Sequence, residues 1–329
     1  MLRAHLDLLA CPACHHRLRF SAESVADATR VMEGRLSCDT CAADYPVVGG
    51  IPRFVPRENY ASGFGLEWNK HARTQYDSTS GLTISEDRFF GQTHWPRDLQ
   101  GQTILEVGSG SGRFTEQAAK TGATVVSFDY SYAVEANYRS NGDRPNVLIV
   151  QADVFAMPFK AGTFDLLFCF GMLQHTPNAR GALAALPRVM KPCGRVCADI
   201  YKATALRTIF HTKFLVRPFT RHLDPDRLYA GVCRWVDFMW PLAGLIRKLP
   251  KGHGINWRLM VADYSNLGLT GEALKEWAYL DTFDMLAPHY DLHVRAGTFA
   301  EWGAGAGLED IETEYNGHGV VLRARVPSR

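Results

Sequence analysis

The sequence predicts an α/β protein built on a doubly wound, mostly parallel sheet, with a small cysteine-stapled module ahead of it. Three observations carry this. From Thr103 onward, short apolar runs alternate with helical stretches, the pattern of a parallel sheet covered on both faces. Within it, Ile104-Leu-Glu-Val-Gly-Ser-Gly-Ser-Gly-Arg-Phe-Thr115 reads as a strand, a glycine-rich turn and a helix starting near Arg113. Near the start of the chain, Cys11-Pro-Ala-Cys14 and Cys38-Asp-Thr-Cys41 form two CxxC pairs with 23 residues between them.

Composition sets the bounds. A chain of 329 residues with 46% hydrophobic side chains can bury a full core, and its length suits one large domain plus an appended module. The formal net charge of +2 lacks the basic excess of a protein that grips DNA over its whole surface, so no DNA partner is expected. Residues 1–14 reach the first cysteines too soon for a secretory signal, and a cytoplasmic location is expected. The longest strongly apolar run, Phe238 to Ile246, contains Pro241 and is about half the roughly 20 residues of a spanning helix, so no transmembrane segment is expected.

Each CxxC pair makes a tight knuckle that points two thiolates at one ion, and two knuckles complete a closed, four-sulfur zinc site of Cys11, Cys14, Cys38 and Cys41. The intervening stretch predicts a hairpin with a loop around Ser21 to Ala28. Neither pair opens a helix in a βαβ setting, which argues against a redox CxxC. His15 and His16 adjoin the second ligand but are expected at the surface, because four cysteines already fill the site. A closed site leaves no position for substrate, so the zinc is expected to be structural. The glycines and prolines of Tyr45 to Pro56 mark a last strand and an exit linker, dividing the chain into a ribbon, 1–56, and a larger domain, 57–329.

In the larger domain, the glycine turn can bring backbone N–H groups and a helix N-terminus up to a polar ligand. Reading from Gly108 and Gly110, the sixth position of a dinucleotide fingerprint is Arg113, so the pyrophosphate pattern fails. The glycines instead fall at alternate positions, Gly108, Gly110 and Gly112, with Glu106 at the strand end and Ser109 between the first two. This resembles the E/D-x-G-x-G-x-G signature of class I S-adenosylmethionine-dependent methyltransferases, whose loop wraps the cofactor's methionine part. Further stations follow in order. Thr124 to Asp129 is a strand ending in an acid 19 residues after Gly110, where a carboxylate can accept from ribose hydroxyls. Val147 to Asp153 is a third strand whose terminal acid matches the family's adenine partner. Phe164 to Phe170 is a fourth strand, and Gly171 to Pro177 resembles the family's loop after it. Gly181 to Met190 reads as a helix, Lys191 to Ile200 as a turn and fifth strand, and Thr298 to Gly307 as a helix. Ile311 to Tyr315 with Val320 to Val326 reads as the closing antiparallel pair. Where the family usually has two glycines, this chain has Cys193-Gly194.

The resemblance implies a Rossmann-like sheet closed by an antiparallel strand. It also implies S-adenosyl-L-methionine as cofactor, held by Glu106, Gly108, Ser109, Gly110, Gly112, Asp129, Tyr130, Asp153, Val154 and Phe170. Phe64 to Trp68, Thr74 to Asp77 and Trp277 to Tyr290 resemble a group of methyltransferase-domain proteins whose zinc ribbon is similar to the small activator subunit of tRNA methyltransferases. That group shares no single acceptor.

On the acceptor side, His175 lies in the loop after the fourth strand and has the ordinary pKa of a general base. It can equally pack beside the cofactor. His289, Tyr290 and Asp284 form a second polar set that can equally be a structural turn. Between Tyr201 and Arg258, 11 Lys and Arg stand against three Asp. This stretch, with Phe210, Phe214, Trp235, Phe238 and Trp240, predicts a helical cap inserted over the active site at about 203–265. A basic, aromatic lid points to an acidic, small-molecule, saccharide or lipid-linked acceptor; inward-packed aromatics under solvated basic residues are the alternative. Two other readings stay open: an RNA methyltransferase that holds RNA with ribbon and insertion, though the ribbon lacks an RNA-reading aromatic motif, and a non-catalytic scaffold that binds a protein partner.

Overall fold

The computed structural model describes residues 1–25, 30–56, 59, 61–203 and 211–328. The ribbon is a four-stranded antiparallel sheet, β1 (Leu18–Val25), β2 (Val31–Cys38), β3 (Asp44–Val48) and β4 (Ile51–Pro52), paired in that order. Strand pairing between β1 and β2 persists to Val25 opposite Val31, further than a loop from Ser21 would allow. The rest of the expected loop, 26–29, lies outside the described residues.

A linker and three short helices, α1 (Ser62–Lys70), α2 (Asp77–Ser80) and α3 (Ile84–Thr93), lead to the main sheet. Its strands are β5 (Thr103–Val107), β6 (Thr124–Asp129), β7 (Val147–Gln151), β8 (Phe164–Cys169) and β9 (Met190–Lys202). Helix α4 (Arg113–Lys120) joins β5 to β6, α5 (Val134–Asn141) joins β6 to β7, and α6 (Ala179–Ala185) precedes β9. Pro187 ends α6 early: from Leu186 to Val189 the chain tightens into a 3-10 turn.

Beyond β9 come α7 (Lys213–Thr220), α8 (Pro225–Ile246), α9 (Gly252–Arg258) and α10 (Gly271–Leu286). The two-residue strand β10 (His293–Val294), α11 (Ala296–Gly305), β11 (Glu309–Tyr315) and β12 (Val320–Arg325) complete the chain. The strand order is β7-β6-β5-β8-β9-β12-β11, with β12 antiparallel to β9 and β11 and the others parallel. The cap continues past 265, because α10 belongs to it: Val261, Ala278 and Phe283 share a buried cluster with Leu228, Val232 and Val236 of α8. Phe210, expected in the lid, lies outside the described residues.

The central strands are mostly apolar, and β7 is buried at every position, as a sheet covered on both faces requires. The ribbon covers the β7 edge. Arg53 pairs with Gln151 in parallel, the Phe54 N–H donates to the Gln151 carbonyl at 2.9 Å, and Ala10 N–H donates to the Pro158 carbonyl at 2.8 Å. Leu9, Val31, Leu36 and Val47 of the ribbon join Leu105, Phe128 and Leu148 of the main sheet in one apolar cluster. An edge that would otherwise expose unpaired backbone groups is thereby closed.

Candidate active site

The carboxyl ends of β5 to β9 open on a single cavity of about 620 Å³, roofed by residues of α7, α9 and α10. Parallel strands bring their ends to one edge, and the loops there are free to differ in sequence, which is why ligands bind there in open α/β sheets. The loop after β5 bends by positive φ at Gly108 (79°), Gly110 (52°) and Gly112 (92°). At Gly112 a Cβ would stand 2.1 Å from Asn137 Oδ1, so only glycine lets α4 start against α5.

Asp129 anchors this loop. Its Oδ2 accepts from the Gly110 N–H at 2.9 Å, and its Oδ1 accepts from the Ser131 N–H at 2.8 Å and hydroxyl at 2.7 Å. Burial raises its pKa, although these donors pull it back. Asp153 Oδ1 accepts from the Phe155 N–H at 2.9 Å and thereby shapes the turn after β7.

The cavity is lined by Gly108, Ser109, Gly110, Asp129, Tyr130, Asp153, Val154, Phe170 and His175, all singled out by the sequence. Four others do not line it. Glu106 is 1% exposed and lies beneath the loop, where its Oε2 accepts from Ser127 Oγ at 2.7 Å and from Thr115 Oγ1. Burial pushes its carboxyl up to about 7. Glu106, expected among the cofactor-binding residues, thus lies behind the cavity wall, where its bonds tie α4 to β6. Gly112 is packed against α5. His289 and Tyr290 are exposed and open on a second cavity of about 260 Å³. Phe64 and His175 form the wall between the two cavities.

His175 is buried, and its Nδ1 lies 3.0 Å from the Tyr290 carbonyl. A carbonyl can only accept, so Nδ1 carries the hydrogen and Nε2 keeps its lone pair. Burial lowers the His175 pKa, partly offset by Asp284, so the ring is neutral at pH 7.

Several lining residues carry no motif and escape the sequence reading. Arg88 of α3 donates to Asp199 Oδ2 at 2.7 Å, its guanidinium lies 5.2 Å from the Phe114 ring centroid, and its buried Nε has no partner. Arg113 faces the cavity 4.5 Å from the same centroid and makes no side-chain ion pair or hydrogen bond among the described residues. Opposite them on α10, Asp281 is pushed up to about 7 by burial and by Asp284, whose Oδ2 accepts from Tyr201 Oη at 3.4 Å. Lys213 pairs with Asp291 at 3.1 Å and is lowered to about 8 by burial and Arg217. Only a charge excess over the insertion could have pointed to Lys213.

In the ribbon, the sulfurs of Cys11, Cys14, Cys38 and Cys41 all lie within 4.8 Å of one another. Three of the separations are 3.4 to 3.5 Å, well beyond the ~2.05 Å of a disulfide. The knuckles match: the N–H groups of His15 and Ala42, both left-handed, donate back to the carbonyls of Cys11 and Cys38. His15 and His16 are exposed.

Residues 105–198 match the family model described as methyltransferase domain, and residues 3–50 match that described as Trm112p-like protein. Residues 105–198 are thus similar to a methyltransferase domain. Ahead of that domain the chain carries a Trm112p-like ribbon. Among curated proteins, an uncharacterized chloroplastic methyltransferase of Arabidopsis thaliana is 22% identical over 236 residues, covering 65% of this chain and 66% of the relative. A ubiquinone biosynthesis O-methyltransferase of Xanthomonas oryzae is 31% identical over 102 residues, covering 30% of this chain and 43% of the relative. The chain thus spans less than two thirds of these relatives' own length. A solved complex of the Haloferax volcanii Trm112 methyltransferase activator with a methyltransferase has a TM-score of 0.46 at 13% identity, covering 81% of this chain and 98% of that one.

Proposed function

We propose that this chain transfers a methyl group from S-adenosylmethionine to a small-molecule, saccharide or lipid-linked acceptor. The observation that carries the reading is the convergence of Gly110 and Asp129 at the head of the cavity. Asp129 uses three of its roughly four acceptor positions within the protein, and the position left, held by a fixed loop, can accept from a ribose hydroxyl. The residues fit the cofactor: the left-handed glycine loop for its methionine part, Asp129 for its ribose, and Asp153 with Val154 for its adenine. When bound, S-adenosylmethionine supplies an electrophilic methyl on a sulfonium.

The protein's own part is alignment, exclusion of water and removal of a proton. With a hydroxyl acceptor, His175 Nε2 would take the proton that the hydroxyl gives up on methylation. Tyr290, in the second cavity, bears on this step through its carbonyl, which accepts from His175 Nδ1 and fixes the tautomer. Arg113, which faces the cavity, offers its guanidinium to an anionic group of the acceptor. The similarity to a ubiquinone O-methyltransferase supports a small hydroxylated acceptor.

We assign the ribbon, 1–56, a structural Zn²⁺ held by Cys11, Cys14, Cys38 and Cys41, and the chemistry to 57–329. The observed sulfur separations are near the ~3.8 Å edge of a tetrahedron with ~2.3 Å bonds. The Trm112p-like match favours RNA as a second acceptor class, whereas the helical roof over the cavity favours a small one.

The test is transfer of label from methyl-tritiated S-adenosylmethionine to a panel of phenols, sugars, lipid extracts and RNA. Label in a small-molecule or lipid fraction supports the proposal, and label in RNA alone replaces it with the second reading. Because His175 acts neutral and its pKa is lowered, kcat/KM should hold at pH 7 and fall only below pH 6.5. His175→Ala should remove that acid limb along with about 100-fold or more of the rate.

A further inference from the structure

Among the described residues, the outer face of the cap holds most of the exposed large hydrophobic side chains. Of the 15 large hydrophobic side chains exposed among the described residues, nine lie between 215 and 255. Leu215 and Phe219 on α7 are 73% and 76% exposed, and Phe238, Leu242, Leu245 and Leu249 form a line on and just after α8. Their spacing of four, three and four residues puts them on one side of the helix. The opposite side of α8 is also apolar: Leu228, Val232, Val236, Met239 and Ala243 are buried against α10 and the segment before it. A surface helix needs only one apolar stripe. This one has two, and the protein covers only one of them.

The charges on this segment decide what covers the other. Arg221, Arg227, Arg234, Lys248, Lys251 and Arg258 are exposed, and none makes an ion pair among the described residues. The segment's three acids are all committed elsewhere. Asp224 caps α8 by accepting from the Arg227 N–H, Asp226 pairs with Lys70 of α1, and Asp237 pairs with Lys275 of α10. The apolar stripe is therefore flanked by unneutralised positive charge. A second copy of the chain on this face would set cations against cations.

We infer that the cap docks, as a peripheral contact, on the surface of an anionic lipid bilayer. Phe238, Leu242, Leu245 and Leu249 enter the headgroup boundary while the arginines and lysines meet lipid phosphates. Among the described residues no helix is long and apolar enough to cross a membrane, consistent with a surface contact. Trp257 and Lys213 of the same cap line the main cavity, so docking would hold the cavity roof against the bilayer. The inference stands on the exposed face alone and does not depend on methyl transfer.

The experiment is flotation of the full chain with vesicles of pure phosphatidylcholine and of an equimolar phosphatidylcholine–phosphatidylglycerol mixture. The chain should float with the mixed vesicles and not with the neutral ones, and binding should weaken as salt rises. Phe238→Ser combined with Leu245→Ser should reduce partitioning about tenfold or more at unchanged melting temperature, since both side chains are exposed. Arg234→Gln with Lys248→Gln and Lys251→Gln should reduce it on mixed vesicles. Absence of binding to mixed vesicles at low salt overturns the inference, as does equal binding by the Phe238→Ser, Leu245→Ser variant. A dimer in light scattering that this variant dissociates, with no vesicle binding, would assign the face to a second copy instead.

Discussion

Asp129 holds Gly110 with one carboxylate oxygen and Ser131 with the other, so loop shape and ligand recognition depend on one side chain. A contrasting carboxyl lies nearby. Glu67 of α1 is 1% exposed, neither of its oxygens has a partner among the described residues, and burial, with Asp284 and Asp281, raises its pKa well above the ordinary value. The fold therefore favours the neutral carboxyl. The stability associated with that neutral form is complete below the unfolded pKa near 4.3 and is lost as pH rises through the folded value. Glu67→Gln keeps the shape and removes the titration. The variant should be more stable than the parent by roughly 1–3 kcal/mol at pH 8 and nearly equal to it at pH 4, read by chemical denaturation at both. Equal stability at pH 8 would show that Glu67 is ionised and matched by a group it does not touch in this structure.

The turn that opens β9 shows how an element tolerates a poor residue. Cys193 stands at φ 60°, the left-handed region where glycine is usual, and Gly194 cannot relieve it, because a Cβ there would stand 2.9 Å from the Lys191 carbonyl oxygen. Cys193→Gly should stabilise the protein by about 0.5–1 kcal/mol in denaturant unfolding, without changing cofactor affinity. The elements around the glycine loop were legible in the sequence because short-range chemistry fixes them. An apolar run, a glycine turn and a terminal acid define β5 to β8, and Thr124–Asp129 matches its expected bounds. The cap was less legible, because its limits depend on long-range packing of α10 against α8, which no local pattern reports. The same reason hid Arg88, whose role comes from α3 reaching Asp199 across 111 residues. Glu106 differs: its place in a signature implied ligand contact, and in this structure the hydroxyls of Thr115 and Ser127 donate to its carboxylate.

At the scale of the whole molecule, ribbon and sheet share one apolar cluster and a backbone junction at β7, so the two modules should unfold together. Removing metal with a strong chelator should lower the melting temperature of the entire chain in one transition. A methyltransferase-domain transition that stays put while only the ribbon melts would show that the junction transmits nothing. The central claim is that the edge built by Gly110, Asp129 and Asp153 is a cofactor site. Titration calorimetry of the metal-loaded chain with S-adenosylmethionine and its demethylated product, repeated on Asp129→Ala, tests it most directly. Micromolar binding of both by the parent, lost in a variant that remains folded, is the predicted result. No heat with the folded parent, or undiminished binding by Asp129→Ala, would contradict it.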